Sequence, residues 1–175
     1  MFYKIKLEDY VALSPEFFGE NLEESIKEQL TKNYSDKTTE DFGLVVTVLD
    51  VDFVGEGFKL PEDPSRYYVV KFTIIAYKPE LHEVIEGDVS SVTNFGVFVS
   101  LGILEGLIHL SQTMVDQVSF SKTGIIQGSQ TGQTLKTGDL VRASVVAVSF
   151  KDMRNIKIGL TMRQPGLGSL SWMEN

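Results

Sequence analysis

The sequence predicts an α+β unit over residues 1–80, followed by an all-β unit over residues 81–175 built on a five-stranded barrel. Three observations predict this. Alternating apolar and polar runs, rich in β-branched and aromatic residues, recur along the whole chain, and that is the period of strands. One stretch, Glu20 to Tyr34, instead spaces apolar Leu22, Ile26 and Leu30 four residues apart, which is one face of a helix. Charge also divides the chain: residues 1–80 hold 9 Lys+Arg against 16 Asp+Glu, and residues 81–175 hold 7 against 8.

In the first half, Phe2 to Leu13 alternates as a strand and is broken by Ser14-Pro15. The helix over Glu20 to Tyr34 carries Glu20, Glu23 and Glu24 in its first turns, where the helix dipole favours acidic groups. Gly43 to Val54 and Arg66 to Lys78 are strands, separated by a Gly- and Pro-bearing loop from Gly55 to Ser65. A sheet of this size with one packed helix suffices for a small domain. Pro79 marks the junction, placed near Lys78 to Leu81, and no long Gly/Ser linker follows.

In the second half, strands are expected over Val84–Val92, Gly96–Leu101, Glu105–Leu110, Leu140–Val148 and Ile156–Thr161. Five strands at short spacing suit a barrel. Residues 113–138, rich in Gly, Ser, Thr and Gln, form a long insert that ends at the turn Lys136 to Asp139.

Composition excludes several classes. A chain 42% hydrophobic and 23% charged, with mean hydropathy near zero, is globular rather than disordered. No apolar run approaches the roughly 18–20 residues that cross a bilayer, and the alternating N-terminus lacks the pattern of a secretory signal. Absence of Cys removes disulfides and thiolate metal sites, and fits a reducing intracellular location. The two histidines, His82 and His109, make no metal cluster. There is no Lys-bearing phosphate loop, no His-Glu-x-x-His and no nucleophile elbow, so neither enzyme nor cofactor is expected. Asp50 and Asp52 share a strand face, but with Val51 and Phe53 expected to point into the sheet they read as a solvated edge.

The run Glu86 to Ser111, EGDVSSVTNFGVFVSLGILEGLIHLS, places Phe95-Gly96-Val97-Phe98-Val99 ahead of Gly106-Leu107-Ile108-His109-Leu110-Ser111. Strict alternation sets Phe95 and Phe98 on opposite strand faces. Both face outward only if the chain bends or bulges at Gly96, and the glycine neighbour suggests a turn at Phe95. Together with Gly138-Asp139-Leu140-Val141 and Ile158-Gly159-Leu160-Thr161-Met162-Arg163, this run resembles the RNA-binding OB-fold module first described in ribosomal protein S-one. The resemblance implies that Phe95, Phe98 and His109 lie on an RNA-binding face, where each stacked base contributes roughly 1–3 kcal/mol. It assigns Lys157 the basic position before the last strand, and Lys151 and Arg154 of the same loop are alternative phosphate contacts. Ser149 stands where that family often has an acid.

Phe2-Tyr3-Lys4-Ile5, Pro15-Glu16-Phe17-Phe18-Gly19, Gly43-Leu44-Val45 and the segment Leu160 to Trp172 extend the resemblance over the whole chain. They are similar to the archaeal RNA polymerase stalk subunits called E-prime, the counterpart of the larger stalk subunit of eukaryotic RNA polymerase II. Gly166 departs from that pattern, which usually has Tyr there. The resemblance implies an α+β RNP-like tip domain followed by an OB-fold barrel, with no catalytic role. It implies docking on the polymerase core through Pro15, Phe18, Gly19, Gly55 and Gly57, and pairing with the small helical stalk partner known as F. Nascent single-stranded RNA is the expected ligand of the barrel. The location implied is cytoplasmic for an archaeal chain and nuclear for a eukaryotic one. The alternative is a free-standing OB-fold RNA-binding factor in translation or RNA decay, and the N-terminal half is what discriminates the two.

Overall fold

The computed structural model describes residues 1–19, 21–121, 123–150 and 156–173. The chain divides into two compact units, Met1–Lys78 and Pro79–Asn175.

The first unit runs β1 (Phe2–Leu13), a 3₁₀ turn (Pro15–Phe17), α1 (Leu22–Tyr34), β2 (Thr38–Thr39), β3 (Gly43–Val54), β4 (Phe58–Lys59) and β5 (Arg66–Tyr77). Its antiparallel sheet has the order β1-β5-β3-β2, with β4 also paired to β5. β1 and β5 pair without a break from Phe2↔Tyr77 to Leu13↔Arg66. Alternation along β5 buries Tyr68, Val70, Phe72, Ile74 and Ala76, which form one core with Ile26 and Leu30 of α1. Burying Ile26 and Leu30 stabilises the unit by roughly 1.5–3 kcal/mol each. Asn21 caps α1 by accepting the N–H of Glu23. Leu22, expected on the packed face, is instead exposed, because the helix begins at that residue and Ser25 takes the first buried position. At the far end of α1 the Tyr34 hydroxyl donates to the Asp9 carboxylate while its ring meets Phe72 edge-on at 5.0 Å. Burial, then the bond to Asp9, hold the Tyr34 phenol well above its ordinary pKa.

β3 corrects one expectation. It shifts register against β5 between Val45 and Thr47, Val48 and Asp50, and Val51 and Phe53. Each extra residue reverses the alternation, so Phe53 is 54% exposed rather than turned into the sheet. Asp52 accepts the Thr73 hydroxyl at 2.8 Å. Among the described residues no group of three or more His, Asp or Glu is placed to hold a metal.

The second unit runs β6 (Val84–Val92), β7 (Gly96–Ser100), β8 (Glu105–His109), a 3₁₀ turn (Leu110–Gln112), β9 (Val118–Phe120), β10 (Ile126–Gly128), β11 (Thr134–Leu135), β12 (Leu140–Ser149), β13 (Lys157–Thr161), β14 (Gly168–Ser169) and α2 (Leu170–Met173). β6, β7 and β8 form an antiparallel meander, and β13 lies parallel to β8. β13 also pairs β12, and β12 returns to β6, which closes a five-stranded barrel. Val97, Val99, Ile108, Val145, Ile158 and Leu160 fill it.

The insert is built rather than irregular. β9, β10 and β11 make a small antiparallel sheet of their own. Asp116 organises its loop, accepting the N–H groups of Gln130 and Thr131 and the Thr131 hydroxyl, each at 2.9 Å. These bonds hold the Asp116 carboxyl below its ordinary pKa, with the backbone bond from Thr131 foremost. No helix among the described residues is long and apolar enough to cross a membrane.

Candidate nucleic-acid interface

The outer face of the barrel is set by strand parity. Val97, Val99, Gly106 and Ile108 point inward, so Phe98, Leu107 and His109 point outward. Cross-strand pairing assembles them. Phe98 pairs Leu107, Leu107 neighbours Gly159 in the parallel register, and Gly159 pairs Ala147. Gly96 pairs His109 one step along. The result is an open groove of ≈ 600 Å³ lined by Phe98, Leu107, His109, Val146, Val148 and Lys157 among others. Val146 is the extra residue of a bulge between Val145 and Ala147, which explains how a strand valine comes to be exposed on this face.

Phe95 is 48% exposed and lies beside Phe98, outside the set of residues that line the groove. The bend expected beside Gly96 is what places it there, as a turn over residues 93–96 that needs no positive φ at the glycine. The chain turns just before the strand: Thr93 N–H donates to the Gly96 carbonyl at 2.8 Å, and Gly96 N–H returns to the Thr93 hydroxyl oxygen at 3.2 Å. Phe95 lies in that turn and escapes the alternation, its carbonyl accepting the N–H of Leu110 at 2.9 Å. Gly96 is needed for a different reason, since a Cβ there would overlap the Ile108 carbonyl oxygen. The Phe95 and Phe98 rings meet edge to face, with centroids 6.0 Å apart and planes at 90°.

His109 is exposed at the end of β8 and caps the following turn. Its Nδ1 accepts the N–H of Ser111 at 3.3 Å and lies 2.8 Å from the Ser111 hydroxyl. In the neutral ring this assigns the proton to Nε2, which is left as a donor. Gln112 beside it lines the groove and accepts the Thr161 hydroxyl at 2.8 Å through Oε1. Lys157 lies on the groove and is exposed. Lys151 and Arg154 lie outside the described residues. Leu107, Val146, Gln112 and Glu105 are groove residues that the sequence alone does not single out. Leu107 and Glu105 share the parity of His109 on β8, and that is the available signal.

In the first unit, Pro15 opens the 3₁₀ turn and Phe18 follows it, exposed, with the Arg66 guanidinium 6.0 Å from its ring centroid. Gly19 has φ +112°, a conformation that favours glycine. Gly55 N–H donates to Val69 O at 2.8 Å. A Cβ on Gly57 would lie 2.8 Å from Arg66 Cδ and 2.7 Å from the Tyr68 ring. Arg66 therefore adjoins both Phe18 and Gly57, bringing the two expected docking loops together. Beside them Phe58 stacks on Tyr67, centroids 5.8 Å apart, and meets Tyr10 edge-on at 6.1 Å. Asp63 accepts the Tyr67 hydroxyl at 2.6 Å and the Ser65 N–H at 2.8 Å, which hold its carboxyl below the ordinary range.

A helix-backed antiparallel sheet followed by a closed barrel with an aromatic outer groove defines a two-domain protein, an α+β unit followed by an OB-fold barrel. The family model described as "SHS2 domain found in N terminus of Rpb7p/Rpc25p/MJ0397" matches residues 8–64, and the model of the S1 RNA binding domain matches residues 78–159. The chain is 37% identical over 174 residues to DNA-directed RNA polymerase subunit Rpo7 of Sulfolobus acidocaldarius, covering 99% of this chain and 95% of that one. It is 40% identical to Rpo7 of Saccharolobus shibatae, covering 99% and 97%. It is also 34% identical to DNA-directed RNA polymerase III subunit RPC8 of Saccharomyces cerevisiae, covering 66% of this chain and 54% of that one. The chain belongs to the Rpo7 family of DNA-directed RNA polymerase subunits.

Proposed function

We propose that this chain is the non-catalytic stalk subunit of a DNA-directed RNA polymerase and that its barrel holds single-stranded RNA in the groove beside Phe98. The observation that carries the reading is the outward convergence of Phe98, Leu107 and His109, with Phe95 against the Phe98 ring and Lys157 at the side. Bases stack on the rings, His109 Nε2–H donates to a base or phosphate oxygen, and Lys157, with Lys151 and Arg154, meets phosphates. The near-neutral charge of this half makes stacking the larger contribution. The alternative, a free-standing RNA factor, does not account for a first unit that belongs with polymerase subunits over the full chain.

The first unit docks on the polymerase core through Pro15, Phe18, Gly19, Gly55 and Gly57, with Phe58 and Tyr10 adding apolar area. Its excess of acidic residues suits a protein partner better than a polyanion. The small helical stalk partner F completes the assembly, and the complex works in the cytoplasm. Fluorescence anisotropy with labelled single-stranded RNA tests the groove: Phe95→Ala with His109→Ala weakens binding. Wild-type affinity in that double variant sinks the stacking model. Affinity purification of the endogenous complex tests the assembly, with recovery of ribosomes instead of polymerase pointing to the alternative.

A further inference from the structure

We propose that Glu105 is a specificity-determining residue of the barrel groove and that it selects guanine for the position stacked on Phe98. The inference rests on the RNA-binding reading above. Glu105 lines the groove on the same outward parity as Leu107 and His109. The parallel register that pairs Gly106 with Ile158 sets Glu105 beside Lys157. Among the described residues no ion pair joins them. The carboxylate turns the other way, and its Oε1 accepts the Ser90 hydroxyl at 2.7 Å. Ser90 is the extra residue of the bulge between Val89 and Ser91, and its Oγ also lies 3.2 Å from the Phe98 carbonyl oxygen. The bulge therefore fixes a carboxylate at the rim of the Phe98 platform, tied down at one lone pair and open at the others.

A carboxylate in this place repels phosphate and rewards only N–H or O–H donors. Guanine is the one base whose edge offers two adjacent donors, N1–H and the N2 amino group. Uracil offers a single N3–H between two carbonyl oxygens. Adenine and cytosine set one amino group beside a ring nitrogen that the carboxylate repels. The groove thus accepts guanine by pairing and rejects the others by unfavourable acceptor contacts.

The test uses the full chain and uridine octamers, either all-uridine or with one central guanosine, inosine or adenosine, with affinities read by competition anisotropy. The guanosine octamer is expected to bind about five- to a hundredfold tighter than the inosine and uridine octamers. In Glu105→Gln, which keeps an acceptor for Ser90, that advantage shrinks to within about twofold, read as the ratio of guanosine to uridine affinity in the same variant. Ser90→Ala, which frees the carboxylate without removing it, is expected to halve the preference or more, and serves as the test if Glu105→Gln does not fold. No guanosine advantage in wild type, or an equal one in both variants, overturns the assignment. If Phe98→Ala with His109→Ala leaves uridine binding unchanged, the groove is not the RNA site and the underlying reading falls with it.

Discussion

Trp172 donates its indole N–H to the backbone carbonyl of Thr134, 38 residues earlier, at 3.1 Å. The bond joins the C-terminal turn to β11 of the insert. β14 meanwhile lays Ser169 against Val141 and Gly168 against Arg142 of the barrel. Gly168 has φ +132°, and a Cβ there would press on the Trp172 ring at 2.8 Å, so only glycine lets the backbone pass under the indole. The distinctive tail sequence thus fastens the insert to the barrel.

Trp172→Phe removes the hydrogen bond and keeps a ring, and is expected to cost about 0.5–1.5 kcal/mol in urea unfolding. Trp172→Ala costs more. Hydrogen exchange is the sharper readout, since protection should fall at Ile126–Gly128 and Thr134–Leu135 while the barrel strands hold. Unchanged protection in the insert of Trp172→Ala would falsify the fastening role.

Asp116 makes the insert pH-sensitive. Its folded pKa is depressed by the bonds from Thr131, Gln130 and Gln117. The stability it contributes is therefore present above the ordinary aspartate pKa and is lost as pH falls through the depressed folded value. NMR titration should show the Gln130 and Thr131 amides moving together, with a midpoint below that of an unperturbed aspartate. Asp116→Asn should abolish the transition. A midpoint at the ordinary value contradicts the network.

Most strands are legible because one face is buried and the other wet, so the alternation of Phe2–Leu13 or Gly96–Ser100 survives in the sequence. Bulges are not legible. The extra residues at Ser90 and Val146 are set by how β6 meets β7 and how β12 meets β13, and they reverse parity with no signal in their own strands. The parallel pairing of β8 with β13 is truly non-local, and it is what brings Lys157 beside Glu105. The insert strands span two or three residues each, too short for periodicity to register. Phe95, Phe98 and His109 can be named from the sequence because the motif fixes their spacing. The groove walls Leu107 and Val146 cannot.

Gly96→Ala separates close approach from backbone freedom. The added methyl meets the Ile108 carbonyl oxygen, which belongs to a barrel strand and cannot move alone. The expected loss is about 1–3 kcal/mol. Gly102→Ala makes the contrast, since Gly102 has φ +90° with open space around it and only the backbone conformation resists substitution. That variant should lose roughly 1 kcal/mol. Equal thermal shifts for the two would contradict the packing argument.

The groove makes a last, quantitative prediction about how stacking and charge divide the binding energy. Phe98→Ala should weaken single-stranded RNA binding by roughly 1–3 kcal/mol at every salt concentration, because a stacked ring carries no charge. Lys157→Ala should act differently. Removing one phosphate contact lowers the slope of log affinity against log salt by about 0.7, so its effect is largest at low ionic strength and fades as salt rises. Phe95→Ala and Phe98→Ala should be coupled, because their rings touch edge to face. A double-mutant cycle is expected to return about 0.5–1.5 kcal/mol of interaction. Strict additivity of the two, or a salt slope indifferent to Lys157, would place the RNA somewhere other than this face of the barrel.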